Sequence, residues 1–246
     1  MAGFEDQMRQ IELADRALMY TLKRSARRKT IGLKVSEDGL TVTLPVRVSV
    51  READAVVREK ASWVIDRLER RQARTPPALK GVDGEVIGWL GEELRLTVRP
   101  HDKARSTVVR EADQVVVSID RQLTPPDSRK VVLAALKRWR KGEALDLMTP
   151  KLERYAEALG AKRPKVSVRE QKARWGSCSS DGSIRMNARL IAYPEALIDY
   201  VCAHEACHLL VMDHSPRFHR LLDELMPDQR RRQRALRDTR PAGGAF

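Results

Sequence analysis

The sequence predicts an α+β protein. It reads as a β-rich N-terminal region with one long helix (residues 1–121), a compact domain in which a small sheet packs on one apolar helix (122–240), and a short tail (241–246). Three observations predict this. Short β-branched runs broken by turn residues fill the first half. A long helical pattern opens at Pro125-Pro126. The last third alternates strand, turn, strand, helix, turn and helix.

The elements follow in order. Thr30–Val35 and Thr41–Leu44 are expected strands flanking Ser36-Glu37-Asp38-Gly39, whose Asp-Gly pair favours a tight hairpin. Ser49 with Glu52 three residues later forms a capping box. The helix it opens is expected to run unbroken with Val56, Val57, Trp63, Ile65 and Leu68 inward, and to stop at Thr75-Pro76-Pro77. Strands are expected at Glu85–Leu90, Leu94–Val98, Thr107–Val109 and Val115–Ile119. The helix after Thr124 should reach Leu159, with Pro150 as the point of a break or kink and Gly160 as the stop. Lys165–Glu170 and Ser183–Asn187 read as two further strands joined through Ser180-Asp181-Gly182. Ala196–Met212 reads as a helix apolar on most sides, hence buried. Ser215 and Pro216 then cap and open a second helix, with Phe218, Leu221, Leu222 and Leu225 as its inner stripe. No internal repeat is visible.

Composition narrows the function. The 246 residues are 42% hydrophobic and 33% charged, which excludes disordered and fibrous classes. No run reaches the roughly 18 apolar residues of a membrane span. Acids at positions 5 and 6 replace the bases of a secretory leader. Three cysteines imply no disulfide framework. A soluble cytoplasmic protein is expected. The net charge of +13 raises a nucleic-acid partner, carried by Lys23–Lys29 and by the arginines from Arg230 to Arg240. Only 4% aromatics and no reader motif weigh against it.

Four of the five histidines fall between positions 204 and 219. His204 and His208, four residues apart on a helix, share one face and can bind one zinc ion. Glu205 is turned one step from His204, free of ligation and placed to act as a general base. Two imidazoles and a carboxylate inside an apolar helix each need a partner, and a metal satisfies all three. Two residues can supply a third ligand. His214 sits on the link between helices and can swing back, whereas Glu224 lies on the polar side of the next helix, so His214 is preferred. Cys202 and Cys207 read as small buried hydrophobes rather than soft ligands.

Several segments together resemble the YgjP-like metallopeptidase family, relatives of the SprT-like zinc proteins. They are Arg174-Trp175-Gly176-Ser177-Cys178-Ser179-Ser180 with Ile184 and Asn187, His204-Glu205-x-Cys207-His208, and His214-Ser215-Pro216-Arg217-Phe218. Arg24–Ile31 and the region of Trp139 extend the likeness over nearly the whole chain. The resemblance implies a zincin-like domain holding Zn2+ through His204, His208 and His214, with Glu205 catalytic. His219 departs from a common tryptophan and Ala206 from a common leucine.

Metal-assisted hydrolysis of a peptide bond is therefore the expected activity, with Ser183–Asn187 as the sheet edge that would hold an extended substrate. Candidate substrate-side residues are Arg174, Trp175, Asn187 and His219. The 174–175 segment reads as a loop between two strands. Arg174 would bind a substrate carboxylate or phosphate there, or else pair structurally with Glu170 or with an acid on the metal helix. His219 is either a packing residue or an oxyanion stabiliser. The same core can hydrolyse a phosphoanhydride, which makes a nucleotide phosphohydrolase the alternative, with a DNA-associated protease-like module as a third reading.

Overall fold

Alternating apolar residues that the sequence reading passed over, Ile11-x-Leu13 and Leu18-x-Tyr20-x-Leu22, build the first hairpin. The computed structural model describes residues 6–13, 16–36, 39–74, 78–171, 174–241 and 243. It divides into two compact units, Met1–Thr75 and Pro76–Phe246.

In the first unit β1 (Gln7–Leu13), β2 (Arg16–Ser25), β3 (Gly32–Ser36) and β4 (Gly39–Pro45) form one sheet in the order β1-β2-β4-β3. The outer pairs are antiparallel and the central β2–β4 pair is parallel. Tyr20, Leu22, Leu40, Val42 and Leu44 alternate onto one face and are buried with Ala53, Val57 and Val64. The expected hairpin joins β3 to β4, although its turn residues Glu37 and Asp38 lie outside the described residues. The capping box at Ser49 and Glu52 is formed. The single expected helix is two, α1 (Val50–Glu59) and α2 (Ala61–Arg74), divided at Lys60. Trp63 is exposed rather than inward. Within α2 one step of 100° turns Trp63 away from Val64, which takes the buried place. The expected stop at Thr75-Pro76-Pro77 lies outside the described residues.

The second unit opens with β5 (Val86–Trp89), β6 (Glu92–His101), β7 (Thr107–Glu111) and β8 (Gln114–Asp120). Their order, β5-β6-β8-β7, repeats the topology of the first sheet, including its parallel central pair. α3 (Pro125–Ala158) follows as one helix through Pro150. The proline is on the exposed side, where water can serve the carbonyl that it leaves without a donor. Gly160, at φ +64°, ends the helix, and the next N–H donates to Ala156 O at 2.8 Å.

At 34 residues α3 is about 51 Å long and serves two cores. Val132, Ala135 and Leu136 pack on the β5–β8 sheet. Ala144, Met148, Leu152 and Tyr155 pack beneath the C-terminal helices. Residue 121, where the sequence suggested a domain change, lies inside this second unit, because one helix spans both cores.

The remaining elements are β9 (Lys165–Arg169), β10 (Gly176–Cys178), β11 (Ser183–Asn187), a 3-10 turn at Ala188–Ala192, α4 (Glu195–Cys207), α5 (Pro216–Leu225) and α6 (Gln229–Asp238). Three expectations are corrected here. The sheet order is β10-β11-β9, so Ser183–Asn187 is the central strand and not an edge. The segment after Trp175, expected as loop, supplies the third strand β10. The metal helix also ends five residues before the expected Met212. Turn bonds from Leu209 N to Ala206 O and from Leu210 N to Cys207 O close it. Of the expected tail, only Pro241 and Gly243 are described.

α4 is fixed by apolar burial on most of its surface and by two acids, Glu195, which pairs with Lys151 at 2.6 Å, and Asp199. Asp199 receives Lys151 at 3.7 Å and Arg154 at 3.1 Å from α3, and Arg232 at 3.4 Å from α6. Arg232 also donates to Ala196 O at 2.9 Å. Part of the arginine-rich end is thus a clamp on α4. Among the described residues no helix is long and apolar enough to cross a membrane.

Candidate metal centre

Helical spacing sets His204 above His208 on α4, with ring centroids 5.0 Å apart. The chain then turns back over six residues, and His214 returns to place its Nε2 3.2 Å from His204 Nε2. One nitrogen from each of the three lies within 4.8 Å of the others. Tetrahedral ligands about 2.05 Å from one zinc ion stand about 3.3 Å apart, the spacing that His204 and His214 already have. Glu224 is exposed on α5 and stands outside this group.

The surroundings favour neutral imidazoles, the form that binds metal. Burial, together with His208, His214 and His219, pushes His204 down to about 4. Burial also lowers His208, partly offset by its hydrogen bond to Val211. That bond, from Nδ1 to Val211 O at 3.0 Å, leaves His208 Nε2 free. Beneath the triad lies the fully buried Phe218, 4.9, 4.6 and 4.9 Å from the rings of His204, His208 and His214. The spacing of the apolar stripe marked Phe218 only as a packing residue. Its contact with all three imidazoles comes from the turn at Ser215-Pro216.

Glu205 is 5% exposed, and its Oε2 is buried with no hydrogen-bond partner among the described residues. Burial pushes its carboxyl up to about 7, against the pull of the Arg174 charge. Above it lies β10 at Gly176. A Cβ there would stand 2.6 Å from Glu205 Cγ and Oε1, so only glycine admits the carboxylate. No reading of spacing identified Gly176 in this role, although the Trp-Gly-Ser-Cys run that contains it is legible.

The other candidates separate. Asn187 is 2% exposed and its amide is committed to main chain: Nδ2 donates to Gln171 O and Arg174 O at 2.7 and 2.8 Å, and Oδ1 accepts from Arg189 N. Trp175 packs edge-on against Tyr193 at 5.0 Å. Arg174 is exposed, and Glu170 pairs instead with the buried Arg140. His219 is exposed beside Phe218 at 5.5 Å. Cys202 and Cys207 are free and fully buried, with thiols pushed up by burial.

The site and fold define an α+β protein whose three-histidine cradle can hold a metal ion beside a buried carboxylate. The chain belongs to the YgjP-like family: the profile of the YgjP-like metallopeptidase domain matches residues 29–239. The match begins after β2. A solved structure of the metallopeptidase zymogen abylysin from Pyrococcus abyssi is similar over 38% of this chain and 97% of its own, at 24% identity and a TM-score of 0.34. No curated relative matches the chain.

Proposed function

We propose that the protein is a cytoplasmic zinc-dependent peptidase in which His204, His208 and His214 hold the ion and Glu205 is the general base. The observation that carries this reading is the placement of Glu205, next to His204 and against Gly176 of the edge strand β10, buried and with its Oε2 lacking a hydrogen-bond partner among the described residues. When bound, zinc would supply Lewis-acid polarisation of the scissile carbonyl and of the attacking water. Glu205 takes the proton of that water on its carboxylate and returns it to the leaving amine nitrogen. Its raised proton affinity suits a group that must do both.

β10 supports an extended substrate. Asn187 N–H donates to Trp175 O at 2.8 Å and Ser179 N–H to Ser183 O at 2.9 Å. The alternate residues Gly176 and Cys178 therefore turn their N–H and C=O groups to the open edge, where a peptide can add as a further strand. Arg174 and His219 are the side chains placed to meet substrate polar groups. Asn187 and Trp175 act by holding the main chain that carries Arg174. The three free cysteines suit a reducing compartment.

Zinc-loaded wild type and Glu205→Gln are compared on casein-type peptides and on nucleoside triphosphates. Wild type should cleave peptide, and Glu205→Gln should keep its zinc and lose about 100-fold or more in kcat. Phosphate release without peptide cleavage would favour the phosphohydrolase, for which the exposed cation Arg174 is the supporting feature. A protein that takes up no stoichiometric transition metal would refute both.

A further inference from the structure

Unlike chemistry stands at the two ends of β10. At its start, Arg174 precedes by two residues the glycine that touches Glu205, a span of about 7 Å in extended chain. Its main chain is held firmly. Arg174 O accepts from the buried Asn187 Nδ2 at 2.8 Å, Trp175 O accepts from Asn187 N–H at 2.8 Å, and the Trp175 ring is seated on Tyr193. The guanidinium on this mount is exposed and has no ion pair among the described residues.

Past the other end, the β10–β11 turn meets the segment that links His208 to His214. Leu209 Cδ2 lies 3.9 Å from the place a Cβ on Gly182 would take. Val211 is turned inward, and its carbonyl is fixed by His208 Nδ1. Its neighbours Leu210 and Met212 are consequently turned out, 41% and 54% exposed. Each is two residues from a histidine of the triad, within about 7.6 Å along Cα atoms. Two large apolar side chains exposed on a link this short, closed at both ends by the metal site, gain from being covered when substrate binds.

We propose that the cleft along β10 is chemically polarised. It selects extended polypeptide segments that carry a carboxylate on one side of the scissile bond, met by Arg174, and a large apolar side chain on the other, met by Leu210 and Met212. The inference rests on the peptidase reading and adds the substrate class to it. A carboxylate suits Arg174 because the guanidinium can give it two parallel hydrogen bonds. A nucleoside triphosphate satisfies the cation but has no aliphatic chain for the apolar end.

The test is a positional-scanning peptide library cut by zinc-loaded wild type, Arg174→Gln and the double variant Leu210→Ser/Met212→Ser, read as ratios of kcat/KM between peptides. Zinc content and thermal unfolding are measured for each protein. Wild type should prefer an acidic residue on one side of the cut and an apolar one on the other. Arg174→Gln should lower the acidic preference about tenfold and leave the apolar ratio standing, and the double variant should do the reverse. Anisotropy of a labelled acidic–apolar peptide on the Glu205→Gln protein should weaken with either change, which assigns the effect to binding. Cleavage with flat preferences, or both ratios falling together in either variant, overturns the polarised cleft and leaves the peptidase reading intact. Cleavage of no peptide, with phosphate released from triphosphates, overturns the peptidase reading and this inference with it.

Discussion

Gly176→Ala adds one methyl group where β10 crosses Glu205. The new Cβ would lie 2.6 Å from Glu205 Cγ and Oε1 and 2.7 Å from Cδ, against about 3.4 Å for an ordinary contact. One partner must therefore give by about 0.8 Å, a figure that follows from those distances and from close packing. Gly176 is held between Trp175 and Ser177, whose main chain pairs with β11, so the carboxylate moves. A displacement near 1 Å costs about 100-fold in rate for a positioned catalytic group, or about 2.7 kcal/mol in the barrier. Overpacking should also lower stability by about 1–3 kcal/mol. The assay is kcat on a fluorogenic peptide beside zinc content and thermal unfolding, with Ser177→Ala on the opposite face of β10 as control. Zinc content should hold while kcat falls. Adding Glu205→Asp, shorter by one methylene, should recover part of the lost stability with a coupling of about 0.5–3 kcal/mol. Wild-type kcat and stability in Gly176→Ala, or strictly additive stabilities in the double variant, would show that Glu205 does not lie where its role requires.

Other expectations follow from the same contacts. Zinc at about 100 times its Kd should raise the unfolding free energy by about 2.7 kcal/mol, and calorimetry should show this shift lost in His214→Ala. Phe218→Leu removes the ring that contacts all three histidines and should weaken zinc binding about 10- to 100-fold in chelator competition; unchanged affinity would reduce Phe218 to a core residue. Asp199→Asn leaves Lys151, Arg154 and Arg232 without their shared acid, and denaturant unfolding should show a loss of about 1–3 kcal/mol with zinc content unchanged.

Much of the fold is legible because its signals are local. The capping box at Ser49, the stop at Gly160 and the Ser215-Pro216 helix start each depend on a few neighbouring residues, and each appears where the spacing puts it. Misreadings arise where a distant partner decides. The first hairpin, β1–β2, carries apolar alternation but has no strong local turn signal, so its pairing is decided by the sheet. Ser183–Asn187 is inside its sheet rather than at the edge, because β10 pairs outside it after an excursion through the Arg174 segment. α3 serves two cores, which its own residues do not announce, since burial along a helix depends on what packs against each turn.

The sequence by itself determined that two histidines and a glutamate share a buried helix, because a 3.6-residue period is a property of the chain alone. It also determined that the link after His208 can turn back, since Ser215 and Pro216 start a new helix. Only the tertiary structure decided that Phe218 lies under all three imidazoles, that Gly176 crosses Glu205 with no room for a methyl group, and that Asn187 braces the main chain of Arg174 and Trp175. Those contacts join residues 4 to 29 positions apart, and their distances are set by how the small sheet and α5 pack on α4.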